Sequence, residues 1–269
     1  MNKQLKELFP QWVTKKQDRN LTLTNDLDSL LSCTLLNMIQ GYEINYYYTF
    51  RGIHVLNPND TRHSIGIDMA IKNGMTWDNH VVKINKDDYV NPLSANINAL
   101  IGINQSNYFE KFCGSTALQV YSYYDIPLPK TDEGKLFMLS IDSSHLGHYD
   151  DRFKEIHHKY LELLGYTELI DLLNKTSLWE VEWLKQNENL SFKNGEVSYR
   201  RGDKEHAEKL LGLELMIPQG EFQLMQEFNS GKGKISHTNN PIYYDNIFSY
   251  ALTGRNFINY STYMRGETA

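Results

Sequence analysis

The sequence contains few cysteines and prolines and no long apolar run, and each shortage excludes a class of protein. Its two cysteines, Cys33 and Cys113, cannot build a disulfide framework, and neither has the paired spacing of a zinc site. Seven prolines and 17 glycines in 269 residues are too few for a collagen-like or low-complexity chain. No run approaches the roughly 18 apolar residues of a membrane span, and the first residues lack the apolar stretch of a signal peptide. We therefore expect a cytoplasmic globular protein that does not bind a membrane.

Positive charge is also scarce. Lysine and arginine number 27 against 33 aspartates and glutamates, so the net charge is −6. Proteins that bind duplex nucleic acid broadly do so through many contacts between basic side chains and phosphates. An acidic chain is therefore not expected to bind a duplex, and any nucleic acid ligand should be short or bound locally.

The first half of the chain alternates strand-like and helix-like segments. Residues 21–24 alternate apolar and β-branched side chains, residues 27–39 repeat apolar side chains at helical spacing up to Gly41, and residues 43–50 are again β-rich. This order predicts a strand, a helix and a parallel strand. The same criteria predict strands over 64–68, 81–84 and 135–142, and helices over 95–103 and 108–124. The predicted fold class is α/β, with a mainly parallel β-sheet flanked by helices.

The pattern changes beyond residue 150. Helical periodicity covers 153–165, 169–173 and 178–184, and a mixed, glycine-punctuated segment with β-leaning residues 242–244 and 257–263 follows. We therefore divide the chain into an α/β domain of residues 1–150 and a region of residues 151–269. The second region would consist of a helical linker and a smaller α+β cap that contributes to substrate binding.

Acidic residues follow several of the predicted strands. Asp26, Asp68 and Asp142 each lie at the carboxyl end of one, where open α/β sheets bind their ligands. Asp28 and Asp78 lie close to these positions in the chain. Carboxylates gathered in one crevice repel each other unless a cation neutralises them, and oxygen-rich ligation favours Mn²⁺ or Mg²⁺ over Zn²⁺. The alternative for Asp26 is a cap on the following helix.

These residues resemble the motifs of the DHH phosphoesterase superfamily over about residues 20–150. Residues 25–29 are similar to its first Asp-x-Asp motif, residues 66–68 to its second motif and residues 77–80 to its Asp-His-His motif. Residues 113–117 resemble the small-residue helix that follows, and residues 139–144 resemble the strand that ends in Asp-Thr. The family hydrolyses P–O bonds with divalent metal ions, so the resemblance implies the same chemistry here.

The resemblance also implies roles for individual residues. Asp68 would bridge two metal ions, Asp26 would bind the first, and Asp28 and Asp142 would bind the second. His80 would face the phosphate, with Asp78 as the other catalytic residue. The implied cofactor is Mn²⁺ or Mg²⁺, as one or two ions, and the implied metal ligands are Asp26, Asp28, Asp68, Asn79 and Asp142.

The chain departs from the family at two ligand positions. Thr22 lies where the family commonly has a histidine, and Asn79 replaces the middle histidine of the third motif. An asparagine carbonyl oxygen can still bind a hard cation, so the site could persist with a weaker preference for transition metals. Two functions therefore stay open: an active phosphoesterase, and a catalytically reduced member that binds a nucleotide or a protein partner without turnover.

Several residues outside the metal motifs are candidates for substrate binding. His145 and His148 follow Asp142 and could face a phosphate, the alternative being surface-loop histidines. Arg200 and Arg201 lie beside an aromatic residue and could hold a phosphate, the alternative being a solvated turn. His237 lies in a glycine-rich segment, 231–238, that loosely resembles a substrate-contacting loop of the family. For His157 and His158, within a periodic helix, packing or solvent exposure is favoured.

The predicted function is hydrolysis of P–O bonds in a small nucleotide or a short single-stranded oligonucleotide. The overall acidity of the chain favours the smaller substrate. The sequence leaves open whether the chain forms a homodimer.

Overall fold

The computed structural model describes residues 1–185, 189–201, 204–236 and 239–264, without the side chains of residues 189 and 200–201. These residues form two compact units, each assembled from separate stretches of the chain. The helical unit comprises Met1–Leu8, Asn25–Gly41 and Phe112–Gln219, and the sheet unit comprises Phe9–Thr24, Tyr42–Lys111 and Gly220–Ala269. The units do not follow chain order, whereas the predicted division at residue 150 does, so that division stays a prediction.

Both α-helices and β-strands occur throughout the described residues. The helices are α1 (Lys3–Lys6), α2 (Leu27–Gln40), α3 (Ile97–Leu100), α4 (Thr116–Tyr123), α5 (Asp132–Ser140), α6 (Lys154–Leu164), α7 (Thr167–Leu173), α8 (Leu178–Lys185) and α9 (Lys204–Leu211). The strands are β1 (Asn20–Leu23), β2 (Ile44–Thr49), β3 (Gly52–Val55), β4 (Ser64–Ile67), β5 (Thr76–Trp77), β6 (Ser94–Ala95), β7 (Asn189–Lys193), β8 (Glu196–Arg201), β9 (Gln223–Lys234), β10 (Ile247–Gly254) and β11 (Phe257–Tyr263). Short 3₁₀ helices cover Gln11–Thr14, Tyr108–Glu110, Ile141–Ser143, Leu146–Tyr149 and Pro241–Tyr243.

The sheet unit contains one nine-stranded sheet of mixed direction. Its strand order is β10-β11-β9-β3-β2-β1-β4-β5-β6. Strands β2, β1, β4, β5 and β6 are parallel, whereas β3, β9, β11 and β10 add antiparallel pairs on the other side of β2. The chain is therefore an α/β protein, as predicted, and strands β9 to β11 join the same sheet as the N-terminal strands. Strands β7 and β8 form a separate antiparallel pair in the helical unit.

The predicted helix over residues 27–39 is confirmed as α2, and its ends have clear local causes. The Asp26 carboxylate accepts a hydrogen bond from the Ser29 backbone N–H at 2.9 Å, which satisfies one free donor of the first turn. Gly41 ends the helix with φ of 69°, a left-handed conformation that costs glycine no steric strain. The predicted capping role of Asp26 is thus confirmed.

The strand predicted over residues 135–142 is wrong, because this segment is helix α5 followed by a 3₁₀ turn. The Thr131 hydroxyl accepts a hydrogen bond from the Gly134 N–H at 3.0 Å, and Asp132 and Glu133 place negative charge at the positive end of the helix. The buried apolar residues 136–139 suit a core helix as well as a buried strand. Asp142 therefore follows a helix and not a strand.

Three further segments differ from their predictions. Residues 81–84 form no strand and contribute only a single bridge, between Val81 and Leu252, and their apolar side chains are buried in a cluster with Tyr250 and Leu252. Residues 242–243 belong to a 3₁₀ helix that begins at Pro241 and ends before Tyr244, since proline lacks the N–H that a strand needs. The helices predicted over 95–103 and 108–124 are shortened to α3 and α4, which begin at asparagine and serine caps.

The core of the sheet unit lies around the parallel strands. Leu21, Leu23, Ile65 and Ile67 are fully buried there. Trp77 of β5 is also fully buried and is surrounded by aromatic neighbours of the 9–14 segment. This packing fixes the strand ends from which the candidate site emerges. None of the helices in the described ranges combines the length and apolar character that a membrane crossing requires.

Candidate metal centre

The register of three parallel strands aligns three polar residues at their carboxyl ends. Ile67 pairs with Trp77, and Trp77 pairs with Ala95. Each of these residues is followed directly by a polar one, namely Asp68, Asp78 and Asn96. The backbone ladder continues to this level, since Asp68 N–H donates to the Trp77 carbonyl at 2.8 Å and Asp78 N–H donates to the Ala95 carbonyl at 3.2 Å.

Two carboxylates and one imidazole lie together at this edge. Asp78 Oδ1 is 2.6 Å from His80 Nδ1, and Asp68 Oδ1 is 3.9 Å from the same nitrogen. One donor atom from each of Asp68, Asp78 and His80 lies within 4.8 Å of the other two. The structure therefore brings together three of the predicted site residues, from the second and third motifs.

The three side chains differ in their access to solvent. Asp78 is fully buried, the Asp68 side chain is 9% exposed, and the His80 side chain is 34% exposed. A buried carboxylate is stable only with hydrogen-bond donors or a cation beside it. His80 is thus the member of the group that a ligand can reach most easily.

Asn96 bonds to two members of the group, Asp78 and His80. The sequence motifs did not identify Asn96 as a site residue. Its amide Nδ2 donates to Asp78 Oδ2 at 2.8 Å and to the His80 carbonyl at 2.8 Å, while its Oδ1 caps α3 by accepting from the Ala99 N–H. One asparagine therefore orients both Asp78 and the backbone of His80. The signal for this role in the sequence is weak: a polar residue after a two-residue strand and before a short helix.

Asp68 lies in a conformation that few side chains adopt. Its φ is 57°, in the left-handed region, where aspartate is tolerated better than most residues. A hydrogen bond from β5 stabilises the turn that contains Asp68: the buried Thr76 hydroxyl donates to the Met69 carbonyl oxygen at 2.7 Å.

The donor set matches the requirements of a divalent ion. Ligands at about 2.1 Å from one ion lie roughly 3 to 4 Å apart, and one oxygen of Asp68 and one of Asp78 lie within 4.8 Å of each other. Carboxylate oxygens beside an imidazole are donors of the kind that divalent cations bind. Asp68 and Asp78 therefore fit a metal ion at this position, with His80 beside them.

Asp26, Asp28 and Asp142 belong to the helical unit. Asp28 is 3% exposed, and its two oxygens accept backbone N–H groups of Thr116 and Ala117 at 2.8 and 2.7 Å. It thereby anchors the first turn of α4, where the helix dipole favours a negative charge. Asp142 is exposed and has a φ of 51° in the turn after α5. Their roles as metal ligands stay predictions.

Thr22 and Asn79, at the positions where the resembled family has histidines, are bonded within the sheet unit. The Thr22 hydroxyl lies 2.6 Å from the Ser64 hydroxyl on the neighbouring strand. The Asn79 side chain is buried, and its backbone carbonyl accepts from Asn98 Nδ2 at 2.6 Å. A ligand role for Asn79 stays a prediction.

His145 and His148 are buried and bonded to other protein groups. The His145 ring contacts the Leu139 carbonyl at 3.2 Å and Glu182 Oε1 at 2.7 Å, and burial lowers the pKa of His145 although Glu182 opposes the shift. His148 Nδ1 lies 2.9 Å from His158 Nε2, and burial lowers the pKa of His148 to about 4. Both rings therefore have structural contacts, and a role in substrate binding stays a prediction.

The remaining predicted residues cannot be placed as side chains. Arg200 and Arg201 belong to β8, but their side chains lie outside the described part of the chain. His237 lies outside the described residues altogether.

Comparisons with known proteins add no identification. A scan against family models, a search of curated proteins and a search of solved structures each give no match to this chain. Membership of the DHH superfamily therefore stays a prediction from the motifs, and the case for a function depends on the geometry of Asp68, Asp78 and His80.

Proposed function

We propose that the protein is a metal-dependent phosphoesterase that hydrolyses P–O bonds of a small nucleotide or a short single-stranded oligonucleotide. The observation that carries this proposal is the grouping of Asp68, Asp78 and His80 at the ends of two neighbouring parallel strands. The order of the motifs along the chain, which resembles that of DHH phosphoesterases, supports the same chemistry.

Asp68 and Asp78 would hold the ion, which is Mn²⁺ or Mg²⁺. A divalent ion in such a site activates water and offsets negative charge on the phosphoryl group and the leaving oxygen. The two carboxylates balance the charge of one ion, and Asn96 keeps the Asp78 carboxylate in a fixed orientation.

His80 would act on the substrate. His80 Nδ1 and Asp78 Oδ1 share a 2.6 Å hydrogen bond, so Nδ1 is engaged by the carboxylate. The other ring nitrogen, Nε2, is then the atom that can bind a phosphate oxygen or transfer a proton to a leaving group. The 34% exposure of the side chain is consistent with this role.

A titration of the purified protein with Mn²⁺ tests the metal site. The electron paramagnetic resonance signal of the free ion measures how much Mn²⁺ remains unbound. Asp68→Asn and Asp78→Asn should weaken binding by more than about 100-fold, and Asn96→Ala by about 10- to 100-fold, because Asn96 orients a ligand. Asp18→Asn is the matched control, since the Asp18 side chain is 89% exposed in the same unit. Unchanged Mn²⁺ affinity in Asp68→Asn would exclude this metal site.

Turnover is measured with a generic phosphodiester, a dinucleotide, a cyclic dinucleotide and pyrophosphate, each with Mn²⁺ or Mg²⁺. We expect hydrolysis of at least one, abolished by Asp68→Asn and reduced about 10²- to 10⁴-fold by His80→Gln, with Mn²⁺ binding largely retained in the histidine variant. Hydrolysis that persists in Asp68→Asn would contradict the proposed mechanism.

A second candidate is a protein that binds a nucleotide or a protein partner without turnover. The observation that favours it is the bonding of Thr22 to Ser64 and of both Asp28 oxygens to the backbone of α4. Nucleotide binding that needs no metal, together with no hydrolysis across the panel, would support this candidate over the phosphoesterase.

A further inference from the structure

The sheet unit contains a polar cavity that shares no residue with the metal group. Its volume is about 550 Å³, within the range of small-molecule sites. Stretches of the chain far apart in sequence meet around it. The described lining residues are Ile84, Asn85, Gln105, Lys234, Ile235, Ser236, Asn240, Tyr243, Asn256 and Phe257.

Two exposed aromatic rings line this cavity. Tyr243 is 53% exposed and Phe257 is 49% exposed. The Tyr243 ring is fixed at its hydroxyl, which donates to Asp88 Oδ1 at 3.0 Å and accepts from Asn85 Nδ2 at 2.7 Å. Exposed aromatic faces are suited to stacking with a flat ring.

The amide side chains have two different roles. Asn240 is buried and bonds with both ends to Ser236, accepting from its N–H at 2.9 Å and donating to its carbonyl at 2.6 Å, so it shapes the wall. Gln105 Nε2 donates to Asn256 Oδ1 at 3.2 Å. The Gln105 Oε1 acceptor and the Asn256 Nδ2 donor then have no hydrogen-bond partner within the described ranges. An adjacent acceptor and donor match the edge of a nucleobase.

Lys234 supplies the charge. It is the only charged residue among the lining residues that the structure describes, and it forms no ion pair with the described carboxylates. Phe257 lies directly opposite Lys234 in the antiparallel register of β11 and β9. A cation beside an aromatic face is suited to a ligand that carries both an anionic group and a flat ring.

We infer that this cavity binds a nucleoside monophosphate. The nucleobase stacks on Phe257 or Tyr243, its edge bonds to Gln105 and Asn256, and the phosphate contacts Lys234. The inference depends on this cavity alone, and it holds whether or not the metal group hydrolyses a substrate.

The test is calorimetric titration of the intact protein with AMP, GMP, CMP and UMP in the presence of EDTA, so that no divalent metal takes part. Adenosine and ribose 5-phosphate are titrated separately. Adenosine contains the base without the phosphate, and ribose 5-phosphate contains the phosphate without the base. We expect at least one nucleotide to bind more than about 10-fold more tightly than ribose 5-phosphate, because stacking contributes to affinity.

Variants distinguish the phosphate contact of Lys234 from the base contact of Phe257. Lys234→Gln should weaken nucleotide binding about 10-fold but leave adenosine binding unchanged, whereas Phe257→Leu should weaken both. Lys232→Gln is the matched control, because Lys232 is an exposed lysine on the same strand outside the cavity lining. Asp68→Asn should leave nucleotide binding unchanged, so failure of the metal proposal does not affect this test.

Three results would overturn the inference. They are the absence of binding by all four nucleotides at millimolar concentration, equal effects of Lys234→Gln and Lys232→Gln, and binding of ribose 5-phosphate as tight as that of the nucleotides. The last result would assign the cavity to sugar phosphates.

Discussion

At the scale of single residues, a buried ring of three hydroxyls joins β2 to the C-terminal strands. Tyr48 Oη lies 2.6 Å from Ser249 Oγ and 2.8 Å from Ser261 Oγ, and the two serine oxygens are 2.8 Å apart. Each hydroxyl can donate one hydrogen bond and accept another, so the ring satisfies all three groups. Burial raises the pKa of Tyr48 to about 12, which keeps the phenol protonated at neutral pH.

Removal of the Tyr48 hydroxyl should destabilise the protein. We expect Tyr48→Phe to lower the free energy of unfolding by about 1–2 kcal/mol, because both buried serines lose a partner. Urea denaturation measures the change. The control is Tyr89→Phe, which removes an exposed hydroxyl bonded to Asn73 and should change stability by less than about 0.5 kcal/mol. Equal effects of the two variants would show that the buried ring contributes no more than a surface bond.

Residue-level prediction from the sequence succeeded where the chemistry is local. Asp26 caps α2 as expected, since a cap depends on the residues that follow it directly. The environments of Asp28 and His145 could not be predicted, because their partners are the start of α4 and Glu182, 88 and 37 residues further along the chain. A side chain's polarity indicates that it needs a partner, but not which distant group provides it.

At the scale of elements, α5 illustrates a short apolar run that fits two structures. Residues 136–139 are uniformly apolar and buried, a pattern that buried strands share with core helices. The helix is decided by the Thr131 cap and by packing against α9. By contrast, the pattern of α2 and its flanking strands is long enough to distinguish helix from strand, and all three were predicted.

The packing of α5 against α9 depends on a glycine. A Cβ built on Gly134 would lie 2.1 Å from the Leu210 carbonyl oxygen, a distance at which the two helices must separate. Gly134→Ala should therefore lower the free energy of unfolding by about 1–3 kcal/mol, even though alanine is the better helix former.

Thermal and urea denaturation of Gly134→Ala measure this loss. Gly233→Ala is the matched control, because no atom lies within 4 Å of the Cβ that it would add, and it should be neutral or slightly stabilising. A Gly134→Ala variant at least as stable as the wild type would show that the interface adjusts without cost.

At the scale of the whole molecule, buried histidines make stability depend on pH. Burial lowers the pKa of His148 and of His157 to about 4 from the ordinary value of 6.5, with the charge of Lys154 also acting on His148. In the unfolded chain these two imidazoles therefore bind protons near pH 6.5, whereas in the folded chain they bind protons only near pH 4. The stability that these neutral rings provide is complete above pH 6.5 and is lost as the pH falls from there toward 4.

We expect the free energy of unfolding to decrease below pH 6.5 by up to about 1.4 kcal/mol per pH unit for each of these two rings. His157→Gln should remove about half of the part of this slope that His148 and His157 contribute, since glutamine does not titrate and can still donate to the Ser144 carbonyl that His157 contacts. A His157→Gln slope equal to that of the wild type would contradict the assignment.

The sequence by itself determined the α/β class, the parallel strands β1, β2 and β4, and the positions of Asp26 and Asp68 after two of these strands. These features depend on periodicity, turn residues and caps, which act between near neighbours in the chain. Only the tertiary structure decided that Asp68, Asp78 and Asn96 end three adjacent strands at one level, that His145 and His148 are buried, and that β9 to β11 complete the first sheet. These features depend on strand register and on packing between distant segments, for which the local pattern carries no information.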